Sequence, residues 1–94
     1  MSAMMDTLTA FAAPAVAEFE AAGLEGWHLS AVQIGQSVIF ARDTAEDLGA
    51  AYLEFRAREP ESSRWAYEVP FMARTTGPTL AAMLDKARAR GWEP

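Results

Sequence analysis

His28, Ser30 and Glu68 come nearest to acid–base or nucleophilic chemistry in this sequence. His28 is the only histidine, and Ser30 follows two residues later on a stretch that reads as a strand. A serine nucleophile needs a tight elbow and donors for an oxyanion, and a mid-strand serine has neither. Glu68 would need an apolar pocket to act as a general acid. Its alternation turns it away from the neighbouring aromatics, where a charge serves to block unwanted strand pairing. Cysteine is absent, which removes disulfides, thiolate metal sites and thiol nucleophiles together. Asp43, Glu46 and Asp47 lack calcium-loop spacing and stand where a helix start uses acids as caps. Thr75-Thr76-Gly77-Pro78 has one glycine and no lysine after it, so it is not a Walker-type phosphate cradle. The sequence therefore predicts no catalytic residue, no cofactor and no metal.

Charge is the feature left to carry function. The 94 residues have a net charge of −5, which does not fit a general nucleic-acid binder. Residues 1–54 hold eight acids and one base, a net −7; residues 55–94 hold seven bases and five acids, a net +2. Such asymmetry predicts a dipolar surface. It serves solubility, docking of an acidic face on a basic partner, or head-to-tail self-association.

The elements that position these residues follow from periodicity. Leu8, Phe11, Ala12, Ala15, Val16 and Phe19 make one helical stripe closed by Gly23, and Pro14 predicts a kink or two pieces, 6–13 and 14–22. Trp27 to Ile34 and Ser37 to Arg42 read as a hairpin around Gly35-Gln36, with glycine first in a two-residue turn. Asp43-Thr44 opens an expected second helix with Leu48, Ala51, Tyr52 and Phe55 inward. In that helix Glu54 and Arg58 would pair four residues apart, worth about 0.3 kcal/mol. Arg64 to Ala73 alternates as a strand with Trp65, Tyr67, Val69 and Phe71 on one face, and Pro70 places it at a sheet edge. Thr75 to Pro78 reads as a turn, and Leu80, Met83, Leu84 and Ala87 are the inner face of a last helix.

The expected fold is a single α+β domain over residues 1–94, ordered α-β-β-α-β-α. It has a small three-stranded, mostly antiparallel sheet in order 2-1-3 with the helices on one face. The opening stretch has no basic residue before its alanines and carries Asp6, so it does not read as a signal peptide. Its apolar run from Ala10 to Ala17 is too short to span a bilayer, and a cytoplasmic location is expected.

Within Phe19 to Arg42, the residues Gly26, Trp27 and Leu29 and the paired strands resemble small bacterial domains of unknown function. In these a helix ends in a Gly-Trp turn that feeds a two-stranded hairpin. The resemblance covers about a quarter of the chain and implies an α+β sheet but no definite activity. The order here departs from it, because those domains usually begin with a strand. Gly91-Trp92 echoes Gly26-Trp27, which suggests that each tryptophan clamps a helix end onto the core.

The function expected from these residues is non-enzymatic: an acidic module that docks on a basic surface of a partner protein. Glu18, Glu20, Glu25, Asp43, Glu46 and Asp47 form the expected contact. Phage-type inhibitors, including anti-CRISPR and DNA-mimic proteins, are chains of this kind. No direct nucleic-acid binding and no membrane association are expected. The alternative is a self-associating module, a homodimer that binds a small apolar molecule, with Trp65, Tyr67, Phe71 and Met72 at its interface. The competing reading of those aromatics is the core beneath the helices. On the docking reading, reversing Glu46 and Asp47 to Lys weakens partner binding and flattens its salt dependence, measured as affinity against ionic strength.

Overall fold

A computed structural model of the chain describes residues 3–42, 51–69 and 73–94. The element order is α1 (Ala3–Ala22), β1 (Trp27–Gln33), β2 (Ser37–Arg42), β3 (Tyr52–Arg56), a 3-10 turn (Glu61–Ser63), β4 (Trp65–Val69), β5 (Ala73–Gly77) and α2 (Leu80–Ala89). The strands form one sheet in the order β1-β2-β3-β4-β5. Every neighbouring pair is antiparallel.

This meander overturns the expected three-stranded 2-1-3 sheet and its α-β-β-α-β-α order. The first cause is Tyr52–Arg56, expected to continue a helix. The segment Tyr-Leu-Glu-Phe-Arg also alternates, with Leu53 fully buried and Phe55 packed on the same core. Its aromatic residues favour a pleated surface, and over so few residues the two periods cannot be told apart by pattern alone. The Glu54–Arg58 helical pair is lost with that helix, and Arg56 bonds Glu59 at 2.6 Å instead. The start of the expected helix at Asp43-Thr44, with Leu48, lies outside the described residues.

The second cause is Thr75–Gly77, expected as a turn. Two adjacent β-branched threonines suit a strand, and Thr75 and Thr76 pair with Tyr67 and Ala66. This fifth strand moves β4 from the expected edge into the interior, between β3 and β5. The edge argument rested on Pro70, which lies outside the described residues; the described strand closes at Val69.

Helix α1 is continuous through Pro14 rather than divided. Pro14 and Ala10 are both exposed, so the hydrogen bond the ring removes leaves a carbonyl that water can reach. The hairpin forms, but residues 34–36 link its strands. Gln36 N–H donates to the Gln33 carbonyl at 2.9 Å, and Gly35 holds φ 76° at the second central position of the turn. That left-handed geometry favours glycine.

Both helices bury their stripes on one face of the sheet. Ala12 and Ala15 from α1, and Leu80, Met83, Leu84 and Ala87 from α2, join Val38, Phe40, Leu53, Trp65 and Tyr67 in one core. Phe19 stacks on Phe40 at 4.1 Å, Phe40 lies 6.1 Å from Trp65, and Phe55 meets Trp65 edge-on at 5.5 Å. The two Gly-Trp segments converge on one ring: Trp27 and Trp92 approach Tyr67 at 6.3 and 5.9 Å. Thr79 caps α2 by accepting from Ala82 N–H at 3.1 Å.

At Gly77 the backbone of α2 comes close to the sheet. A Cβ there would stand 2.8 Å from the backbone nitrogen of Met83. Gly77→Ala is expected to lower stability by about 1–3 kcal/mol through overpacking, read as a fall in urea midpoint with an unchanged m-value.

Candidate functional site: the open face of the sheet

Alternation along each strand sends every second side chain to the face opposite the helices. The registers align one row across that face: His28, Ala41, Tyr52, Glu68 and Arg74. The next row holds Ala31, Ile39, Glu54, Ala66 and Thr76. Neither helix contributes its buried stripe to this face.

The β1–β2 register skips Ser30, which makes a bulge between Leu29 and Ala31. Bulges re-aim side chains and bend edge strands. Ser30 thereby joins Ile39, Ala41, Tyr52 and Glu54 around a hollow of about 300 Å³. Alanines at 31, 41 and 66 keep the centre low, while Tyr52, Glu54 and Glu68 make a polar rim. A second hollow, about 370 Å³, lies between α1 and β1 and is mostly apolar, with Val16, Ala17 and the half-exposed Leu29.

Tyr52 donates its hydroxyl proton to Glu68 Oε2 across the β3–β4 pair. The bond to Glu68 pushes the phenol up to about 12, with desolvation and the charges of Glu68 and Glu54 adding to it and Arg74 opposing it. Tyr67 is also raised, chiefly because it is buried. Glu68 faces away from the aromatics, but on an interior strand, so it does not guard an edge. It lies three strands from His28, about 14 Å at ordinary strand spacing, and the two do not form a pair.

Of the six acids of the expected docking surface, Glu18, Glu20 and Glu25 lie among the described residues. Glu18 turns inward, and its Oε2 accepts from Leu80 N–H at 2.7 Å, fastening α1 to the start of α2. Glu20 and Glu25 are exposed at the end of α1 and in the turn after it. Asp43, Glu46 and Asp47 lie outside the described residues. The alternative interface fails at Trp65 and Tyr67, each 1% exposed, because both helices pack on the aromatic side of the sheet. Phe71 and Met72 lie outside the described residues. Among the described residues, no three metal-ligating side chains gather, and no helix is long and apolar enough to cross a membrane.

Sequence reasoning missed Tyr52 and Glu54 as site residues because it placed them on a helix. The alternation of Leu53 with Phe55 was the available signal. No signal within either segment links Glu18 to Leu80, 62 positions away.

No family model, curated protein or solved structure matches this chain.

The Tyr52–Glu68 bond has a readable pH signature. A phenol whose folded pKa is raised gives stability that is complete below its unfolded value near 10 and is lost as pH rises toward about 12. Glu68→Gln is expected to bring one tyrosine's titration back toward 10, followed by the ultraviolet absorbance of tyrosinate. Folding stability should then fall less between pH 10 and 12 than in the parent.

Proposed function

We propose that this chain is a non-enzymatic protein-binding module of the cytoplasm that docks on a basic partner surface through its open sheet face. The observation that carries this reading is the placement of both helices on one side of a five-stranded sheet. The side without them offers a shallow hollow lined by Ile39, Ala41, Tyr52 and Glu54, with Glu68 beside it on the hydroxyl of Tyr52. A small apolar side chain of the partner fills the hollow, and a lysine or arginine beside it meets the carboxylates. Apolar contact then sets affinity, while charge sets orientation and on-rate. The acidic contact expected around Glu18 thus shifts to Glu54 and Glu68. Inhibition in the manner of a phage protein is one role for such docking, when the basic surface is a nucleic-acid groove.

The test is affinity capture from source-cell lysate at low and high salt with three forms of the chain. Ile39→Arg fills the hollow with charge, and Glu20→Lys with Glu25→Lys alters the acids near the end of α1. The parent and the Glu20/Glu25 variant are expected to retain the same protein at low salt, and Ile39→Arg to lose it by tenfold or more (about 1.4 kcal/mol). Matched thermal melts establish that each form is folded. Loss in the Glu20/Glu25 variant with retention by Ile39→Arg overturns the proposed face. A stable homodimer by light scattering that Ile39→Arg dissolves overturns partner docking in favour of self-association.

A further inference from the structure

We infer that the hollow beside the edge strand β5 is an anion site for a small molecule carrying two or more phosphate-type groups. Its volume is about 620 Å³, within the range of ordinary ligand pockets. Arg56, Arg74, Lys86 and Arg90 line it, against the single carboxylate of Glu59. Four cations to one acid is a strong local reversal in a chain of net charge −5. These cations come from β3, β5, and α2 with its C-cap Arg90, which fold into proximity.

The helix dipole explains only part of the cluster. Lys86, Arg88 and the C-cap Arg90 stand at the end of α2, where cations offset its negative pole, and of these Arg88, which approaches Asp85 at 4.0 Å, lies outside the hollow. Lys86 reaches from the helix to β5 and donates to the Thr76 carbonyl at 2.9 Å. Arg90 lies over the Trp92 ring, 5.5 Å from its centroid. Arg56 and Arg74 belong to the sheet and owe nothing to α2.

The cations are also held differently. Arg56 is anchored by Glu59 at 2.6 Å and by Glu54 at 3.7 Å, with its side chain only 16% exposed. Arg74 is exposed and makes no side-chain hydrogen bond or ion pair among the described residues. Arg74 stands opposite Glu68 in the β4–β5 register and its charge is felt at Tyr52. An anchored guanidinium beside one without a hydrogen bond suits a phosphate, which accepts the planar fork of arginine through two oxygens.

More than one anionic group is implied by the neighbouring hollow. It shares Arg56, Glu59 and Arg74 with the first, adds Arg58 and encloses about 330 Å³. Glu54 also faces it and limits its net charge. A ligand spanning both hollows sets one anionic group toward Lys86 and Arg90 and another toward Arg58, with Arg74 between them. Such convergence concentrates field despite the acidity of the whole chain.

The test is calorimetric titration of the full chain with inorganic pyrophosphate at low ionic strength, with orthophosphate in parallel. Pyrophosphate is expected to bind saturably at one site, about tenfold or more tighter than orthophosphate. Arg74→Gln and Arg90→Gln should each weaken it by about tenfold, the loss typical of one charge-assisted bond. Arg88→Gln, outside the hollow, should leave it within about twofold. Each variant is checked by its melting curve, and Arg74→Gln removes no bond seen among the described residues. Absence of saturable binding overturns the inference. So does an equal loss in Arg88→Gln and Arg74→Gln, which would mark diffuse attraction rather than a site.

Discussion

Both helices, one from each side of the meander in sequence, cover the same face of the sheet, and the aromatic layer between them is the constraint on which the molecule rests. Phe19, Phe40, Trp65 and Phe55 form a continuous run of ring contacts from α1 across β2, β4 and β3. Trp27, Tyr67 and Trp92 form a second group beside it. Burial of such rings, each removing some 150–250 Å² from water, is the main favourable term for a domain that has no disulfide. The Glu18–Leu80 bond adds direction to a contact that burial alone leaves sliding. It satisfies one of the first amides of α2 with a formal negative charge, the arrangement a helix start favours.

Covering one face leaves the other to different uses. The open face has a low centre of alanines, with Tyr52, Glu54 and Glu68 raised around it. Its far margin passes into the cationic hollow beside β5. Among the described residues, part of the chain's uneven charge is expressed locally. One acid of the negative half is used internally, and basic residues of the positive half converge from sheet and helix.

What could be read from the sequence divides along the length of each pattern. The stripe Phe11–Phe19 is long enough to specify α1, and the Leu80–Ala87 stripe specifies α2. The hairpin had glycine between two alternating runs, and Trp65–Val69 alternated too cleanly to be anything but a strand. Tyr52–Arg56 was illegible because a five-residue segment satisfies either period, and the expected helix start made the wrong one look continuous. Once that strand and Thr75–Gly77 were missed, the sheet order could not be right. The sites failed for a related reason. Tyr52 meets Glu68 through strand register, and Arg56 reaches Arg74 and Lys86 through three elements, so neither grouping has a signature in linear spacing.

The order of the strands bears on how the molecule is made. Each strand pairs with the one synthesised just before it, so the sheet can grow hairpin by hairpin on the ribosome, with short loops to close. α1 emerges first but cannot finish docking, because the amide that Glu18 accepts from belongs to Leu80 and appears only after all five strands. Phe19 can stack on Phe40 as soon as β2 is in place, whereas the bond that fixes the direction of α1 closes only when α2 arrives. Docking of the first helix is thus divided in time between an early apolar contact and a late polar one.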